Sequence, residues 1–444
     1  MLNVVRNIFY KFYSKKDTFI TSVIVLNVIW IFLGMFFYNY FKFSYQNFSI
    51  SLLLLFIINF FFIIFINVRG RIKFDKIDIC LILLVVFGII STIFSKNISV
   101  SLYGYWKRYE GLSQILYYYS LLYLSSFIFD NVYKKKIICF ILIFGFINVF
   151  ACFLQVFNIF EFIPINSRGV TLGQGFITNS NFFGSYMDIC LGLSIGLFLY
   201  NNRDNFKKNI LFLIFILVFY SGLLMSNALS GMVGLFVICL FIVGYFIYLF
   251  IKKRIVKSII IKHVILLISC VIISIVLTIS NKTVMFDDVK RMFVETQEIS
   301  KGNINDSFGS SRLFIWKSTL KVVPNNLLHG TGIDCFAFAF SDEKPLFKKR
   351  SDESIVYFDK AHNEYLQKLV TEGTFSTITY ISMLFIIFII SLKNILKNNN
   401  YLLIPLFLAF VGYCVQAFFN ISVIEVAPLF FIVCGLLYER KCKV

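Results

Sequence analysis

The chain has 444 residues, 59% of them hydrophobic and only 15% charged, which excludes a soluble protein built on one core. A formal net charge of +19 would suit a nucleic-acid binder, but the basic residues are distributed in a way that excludes that class. The ten cysteines form no CxxC or Cys/His cluster, so no zinc site is expected, and Cys335 alone lies outside the apolar segments and the tail, leaving it no intrachain disulfide partner.

Apolar runs of the roughly 18–20 residues that cross a bilayer as a helix recur along the chain. They fall at residues 18–39, 49–67, 77–95, 112–130, 137–159, 183–200, 209–225, 229–251, 261–280, 374–391, 401–419 and 422–438. The first lacks the small-residue exit of a cleavable signal peptide and reads as a membrane helix. The fold class expected is an all-α polytopic membrane protein with about 12 transmembrane helices. It forms a single membrane domain over 1–444, with one large extracytoplasmic loop, 281–373, carrying short helices.

Charge sets the expected orientation. With a cytoplasmic N-terminus, the inner segments hold 24 of the 42 Lys and Arg residues and the short outer loops hold five. The other 13 lie in the long loop, balanced there by 13 Asp and Glu. That alternation follows the positive-inside rule, so the charge is topological, no nucleic acid is expected, and both termini are expected in the cytoplasm.

Two short outer loops carry candidate binding residues. In YGYWKRYEGL, Lys107, Arg108 and Glu110 lie among Tyr103, Tyr105, Trp106 and Tyr109. Such aromatics suit an interfacial belt, and aromatic faces beside cations also suit sugar rings next to phosphates. In SRGVTLGQGFITNSNFFGSYMD, Arg168, Asn179 and Asn181 with several glycines make a flexible, donor-rich loop suited to hydroxyls or phosphate, without the spacing of a P-loop. Asp188 falls inside the sixth apolar segment, where a carboxylate is costly and suggests function; pairing with a buried cation or protonation would also explain it.

The long loop should hold two short helices. Ser310 or Ser311 can cap the first, where Leu313, Trp316, Leu320 and Val323 recur at helical spacing until Pro324-Asn325-Asn326 stops it. The second is expected from Asp359, with His362, Leu366, Leu369 and Gly373 on one face, ending where the membrane resumes. His362, beside Asn363 and Glu364, would then sit in a first turn, where the helix dipole favours the neutral imidazole a general base needs. Arg312 would sit in the other first turn, where free N–H groups and a guanidinium together grip an anion such as a diphosphate. Structural roles stand beside both readings: a histidine at a helix start is more often structural, and Arg312 can stack on Trp316 or pair with a carboxylate.

Four ordered pieces resemble one family. They are YWKRYEGL at 105–112, GQGFITNSNFFGSYM at 173–187, SSRLFIWKSTL at 310–320 with HGTGID at 329–334, and HNEYLQKLVTEG at 362–373; FNISVIEVAPLFF at 419–431 also fits its last segment. The chain resembles the O-antigen ligase and polymerase superfamily, with its Wzy-type C-terminal signature. The resemblance implies a glycosyltransferase of the GT-C type that needs no metal or nucleotide cofactor. It implies transfer of saccharide from an undecaprenyl-diphosphate-linked glycan donor to a glycan, lipid or protein acceptor, at the outer face of the cytoplasmic membrane. By position, His362 and Arg312 correspond to the family's loop histidine and arginine, the catalytic pair. Arg108, Lys107, Glu110, Arg168, Asn179, Asn181, Trp316, Asn363 and Glu364 are then candidate substrate-binding residues. One departure stands out: in SNALSGMVG, Leu229 occupies the place of an arginine thought to contact the carrier phosphates. A protein O-oligosaccharyltransferase of the same superfamily and a transporter of lipid-linked sugar are the alternatives. A transporter should show ionisable residues near mid-membrane, and this chain gathers its polar residues at the outer ends of the segments.

Overall fold

A computed structural model of the chain describes residues 16–40, 44–69, 74–159, 172–200, 206–254, 257–303, 305–340, 346–349, 355–398, 400–438 and 440. Among them, nine helices are long and apolar enough to cross a membrane. These are α1 (Lys16–Tyr40), α2 (Tyr45–Arg69), α3 (Lys76–Ile93), α6 (Asn131–Val156), α7 (Ser180–Tyr200), α8 (Phe206–Ser226), α9 (Leu229–Ile251), α10 (Lys257–Ile279) and α13 (Glu364–Asn398). An apolar run in lipid must satisfy its backbone internally, and a helix does so within one segment. Polar residues mark the ends. Asp75 accepts the Ile77 and Asp78 N–H groups ahead of α3, and the Asp78 carboxylate accepts from Asp75 N–H at 2.9 Å. Asp130 caps α6.

Three further segments expected to span form shorter helices among the described residues. They are α5 (Leu112–Ser125), α14 (Leu403–Gln416) and α15 (Ala427–Tyr438), with 14, 14 and 12 residues. At 1.5 Å per residue they reach about 18–21 Å, against a hydrocarbon core of about 30 Å. α15 packs on both α5 and α14. Their ends still meet at opposite ends of the bundle: Ser422, ahead of α15, donates to Glu110, ahead of α5, while Arg440, beyond α15, donates to Ser126, beyond α5, and to Asp78 at the start of α3. α7 forms the centre, with every residue from Phe182 to Tyr200 buried. It lies close along α14, where a Cβ on Gly192 would come within 2.3 Å of Ala409 N and one on Gly196 within 2.4 Å of the Pro405 Cα. Small residues at these crossings let backbones approach and gain dispersion energy where lipid supplies no hydrophobic drive.

A short helix, α4 (Ile98–Tyr103), precedes α5. The region between α10 and α13 holds α11 (Met285–Ser300), α12 (Arg312–Val322), 3-10 turns at Val323–Asn326 and Phe336–Ala339, and a hairpin, which sequence patterning did not suggest. Its strands, β1 (Leu346–Lys349) and β2 (Ile355–Phe358), pair antiparallel with Leu346 opposite Phe358. Leu346 and Phe358 pack onto a small separate core of Ile315, Phe336, Ala361 and Val370. The first turns of α13 complete this unit before the helix enters the apolar bundle.

The break falls at Gly373, whose φ of 83° interrupts α13. A Cβ there would lie 2.5 Å from the Leu328 carbonyl oxygen, and Thr374 N–H donates to Leu327 O at 2.8 Å. Gly373→Ala therefore combines a left-handed cost of about 1–2 kcal/mol with a backbone clash. Gly302, at φ 84° with no neighbour within 4 Å, incurs only the first term when changed to alanine. Gly373→Ala is expected to lower the melting temperature in detergent well beyond Gly302→Ala; equal shifts would rule out the packed kink.

Candidate active site

Two segments distant in sequence meet at the mouth of α5 and α13. Asp334, held at φ 58°, accepts backbone N–H bonds from Tyr105 at 2.7 Å and Glu110 at 3.2 Å through Oδ2. The buried Lys360 ammonium pairs with Asp334 and lies 3.5 Å from Glu110. Arg108 makes a two-point bond to Asp359, at 2.6 and 3.0 Å. Burial works against the Arg108 charge, but Asp359 outweighs it and holds the pKa above its ordinary value. Burial likewise raises the Asp359 carboxyl, and the Arg108 contacts more than offset it, so its pKa lies below the usual range. Glu110 accepts from Ser422 Oγ at 2.5 Å and Tyr118 OH at 3.1 Å. Burial pushes its carboxyl up to about 7 against the pull of Lys360.

His362 follows directly on this network. It lies outside the helix, at φ 50°, and Asn363 is the true cap, accepting Leu366 N–H at 2.9 Å. The expected helix start at Asp359 is therefore corrected to Glu364. Neighbours fix the flanking backbone: Trp316 Nε1 donates to Ala361 O at 3.1 Å, and Ala361 N–H donates to Gln367 Oε1 at 2.8 Å. Glu364 N–H donates to Ala417 O at 2.9 Å. The Glu364 carboxylate accepts from Tyr380 OH at 2.6 Å and Tyr413 OH at 3.2 Å. The imidazole is neutral for a different reason from the one expected. Burial, then the positive charges of Arg312 and Arg108, lower its pKa to about 4.

Arg312 opens α12. Ser311 precedes it in a left-handed conformation and makes no side-chain cap, so the serine capping expected from sequence is absent. Arg312 Nη1 donates to Gly309 O at 3.2 Å, while its buried Nε has no acceptor. No described carboxylate is paired with it, and burial lowers its pKa. Its surroundings form a groove of about 480 Å³, lined by Leu229, Ser230, Trp316 and Phe419 and by the charged side chains of Asp288, Arg291 and Glu295, of which Asp288 and Arg291 pair with each other. Leu229 therefore lies on the same cavity as Arg312. A part-buried guanidinium with no carboxylate paired to it, beside open space, is suited to an anion.

The other candidates are dispersed. Lys107 is exposed, 4.1 Å over the Trp106 ring. Asn179 accepts Asn181 N–H at 2.8 Å and precedes α7, while the Asn181 carbonyl accepts from Asn420 Nδ2 at 3.0 Å. Their loop is pinned: Gln155 Oε1 accepts Gln174 N–H at 2.9 Å, and Thr178 Oγ1 donates to buried Glu425 at 2.7 Å. Arg168 lies outside the described residues. Asp188 is fully buried with neither carboxyl oxygen hydrogen-bonded, against Gly234 of α9. Among the described residues no group of three or more His, Cys, Asp or Glu is placed to hold a metal ion. Sequence reasoning missed Asp334, Asp359 and Lys360; the last two stand immediately before AHNEY, and Asp334 ends HGTGID.

The charge arrangement makes a measurable prediction. Followed by NMR with the other two histidines replaced, His362 should titrate near 4 in the empty protein, with Arg312→Gln moving it upward. Titration near the ordinary 6.5 would remove the burial and charge effects together.

No curated protein and no solved structure matches the chain. Residues 210–381 match the family model described as O-antigen ligase, a region that runs from α8 into α13 and includes Leu229, Arg312 and His362. The pieces at 105–112, 173–187 and 419–431 lie outside it. That match supports the O-antigen ligase and polymerase superfamily for residues 210–381.

Proposed function

We propose that the protein is a glycosyltransferase that moves saccharide from a lipid-diphosphate-linked donor to an acceptor hydroxyl at the outer face of the cytoplasmic membrane. One observation carries the reading: Arg312, with its Nε unpartnered, lines a groove together with Trp316, whose indole N–H donates to the carbonyl oxygen of Ala361, the residue before His362. The donor diphosphate occupies the groove at Arg312, with Trp316 beside it. His362 accepts the proton of the acceptor hydroxyl as its oxygen bonds to the anomeric carbon. The bond from that carbon to the diphosphate breaks, and Arg312 stabilises the charge left on the departing oxygen. A single displacement inverts the anomeric centre. Arg108, committed to Asp359, acts by placing the segment before His362 rather than by binding phosphate.

This arrangement couples binding to base strength. A diphosphate at Arg312 offsets one of the positive charges that depress His362, so the imidazole becomes a better base when donor is present. The neutral state needed to accept a proton already holds in the empty site.

Variants divide these roles. His362→Ala is expected to lower turnover by about 10²–10⁴-fold with donor binding retained. Arg312→Ala should raise the donor concentration needed for half-maximal rate by about 10–100-fold, from losing a charged contact of about 1.5–3 kcal/mol. Wild-type turnover in His362→Ala at equal expression would sink the base assignment. Deleting the gene should leave saccharide on its carrier, single repeats indicating polymerisation and long chains indicating ligation. Unchanged lipid-linked species would sink the transferase reading.

A further inference from the structure

The groove at Arg312 touches α9 at Leu229 and Val233, on one face of that helix. Leu229, Val233, Val237, Leu240, Gly244 and Tyr248 follow one another at intervals of three and four residues, forming one stripe on a helix. Leu229 and Val233 line the Arg312 groove. Leu240, Gly244 and Tyr248 line a second cavity of about 380 Å³, almost wholly apolar, closed on its other sides by the ends of α7 and α13 and the start of α14. Between the two, the lipid-facing surface of α9 is open, with Phe236 62% and Leu240 53% exposed. The stripe from Leu229 to Tyr248 is about 28 Å long at 1.5 Å per residue. That is nearly a full hydrocarbon core of about 30 Å, whereas one leaflet is about 15 Å deep.

We infer that the cavity around Gly244 binds the distal part of a long polyprenyl tail whose diphosphate sits at Arg312, so that this site selects donors by tail length. The inference rests on the proposed lipid-diphosphate donor and adds where its tail ends. Length decides the occupant. A phospholipid with its head group at Arg312 has acyl chains that end near the bilayer midplane and leave this cavity unreached. A carrier made of many isoprene units extends past the midplane along the same face. Tyr248 and Tyr200 at the cavity end keep the wall aromatic, and Gly244 leaves the space open, with no atom within 4 Å of where its Cβ would stand. A larger side chain there fills the cavity without a clash, far from His362 and Arg312.

Gly244→Leu tests this on the full-length protein in nanodiscs. With undecaprenyl- and geranyl-diphosphate-linked saccharides as donors, the variant should raise KM for the long donor about ten-fold, from lost burial of a few methylene groups, and leave kcat unchanged. Its KM for the geranyl donor should not move. An equal change for both donors, or none for either, overturns the inference. A second arm does not require turnover: undecaprenyl diphosphate carrying a photoreactive group at its tail end should label wild-type residues 240–248 or 404–408. Labelling should be lost in Gly244→Leu and be competed by undecaprenyl diphosphate but not by geranyl diphosphate. Absence of labelling there, or competition by phospholipid vesicles alone, overturns the site. Labelling without saccharide transfer by the wild type would leave the tail site standing and refute the transferase reading instead.

Discussion

The Lys360 ammonium, buried between Asp334 and Glu110, is the contact on which the end of the bundle that bears His362 depends. A buried cation is tolerable only when its charge and donors are met, and removing one partner leaves an uncompensated charge. Asp334 answers Lys360 with one oxygen and uses the other to collect the Tyr105 and Glu110 N–H groups. One carboxylate thereby joins the loop before α5 to the segment before α13. The Arg108–Asp359 pair repeats the link one residue earlier on the α13 side. His362, two residues beyond Lys360, is then held at φ 50°, a conformation that costs about 1–2 kcal/mol for a residue with a Cβ. Such a geometry persists where surrounding contacts overdetermine it, and these contacts do.

The three short helices give that network its place. α5, α14 and α15 have 14, 14 and 12 residues, and polar residues flanking one end of each meet beside α13. Ser422, between α14 and α15, reaches Glu110 ahead of α5, and Ala417 receives the first N–H of α13. Longer neighbours such as α7 and α8 supply the apolar frame. The buried Lys368–Glu372 pair at 2.6 Å, on the part of α13 ahead of the Gly373 break, is accommodated because protein rather than lipid surrounds it.

Much of this was legible in the chain. Hydropathy located every helix of the bundle, because lipid imposes one rule on long apolar runs. The stretch AHNEYLQKLVTEG carries its own boundaries: Asn363 caps the helix, and Gly373 breaks it where the membrane resumes. Length was not legible for α5, α14 and α15, since burial in protein and burial in lipid select the same residues. Pairing was not legible either. Arg108 and Asp359 stand 251 positions apart, and no local period connects them, so a cation that reads as free in sequence is committed in space. The neutrality of His362 was anticipated with the wrong cause, because a dipole is a local inference while burial and the charge of Arg312 are tertiary ones.

Leu229 looks at first like a loss, an apolar residue where superfamily resemblance leads one to expect a cation. Its surroundings give it a different meaning. It shares a groove with Arg312, whose Nε lacks an acceptor, while the other guanidinium there, Arg291, is paired with Asp288. It also begins the α9 stripe that runs to Tyr248 without a charged residue. A cation at position 229 would interrupt that stripe at its outer end and add a desolvation cost beside Ser230, which is already buried without a partner. With leucine there, the charge stays on the loop helix that bears Arg312, and the membrane helix is left apolar from end to end. On the proposed reading, head-group recognition and tail accommodation thus fall to separate elements that meet only at the groove.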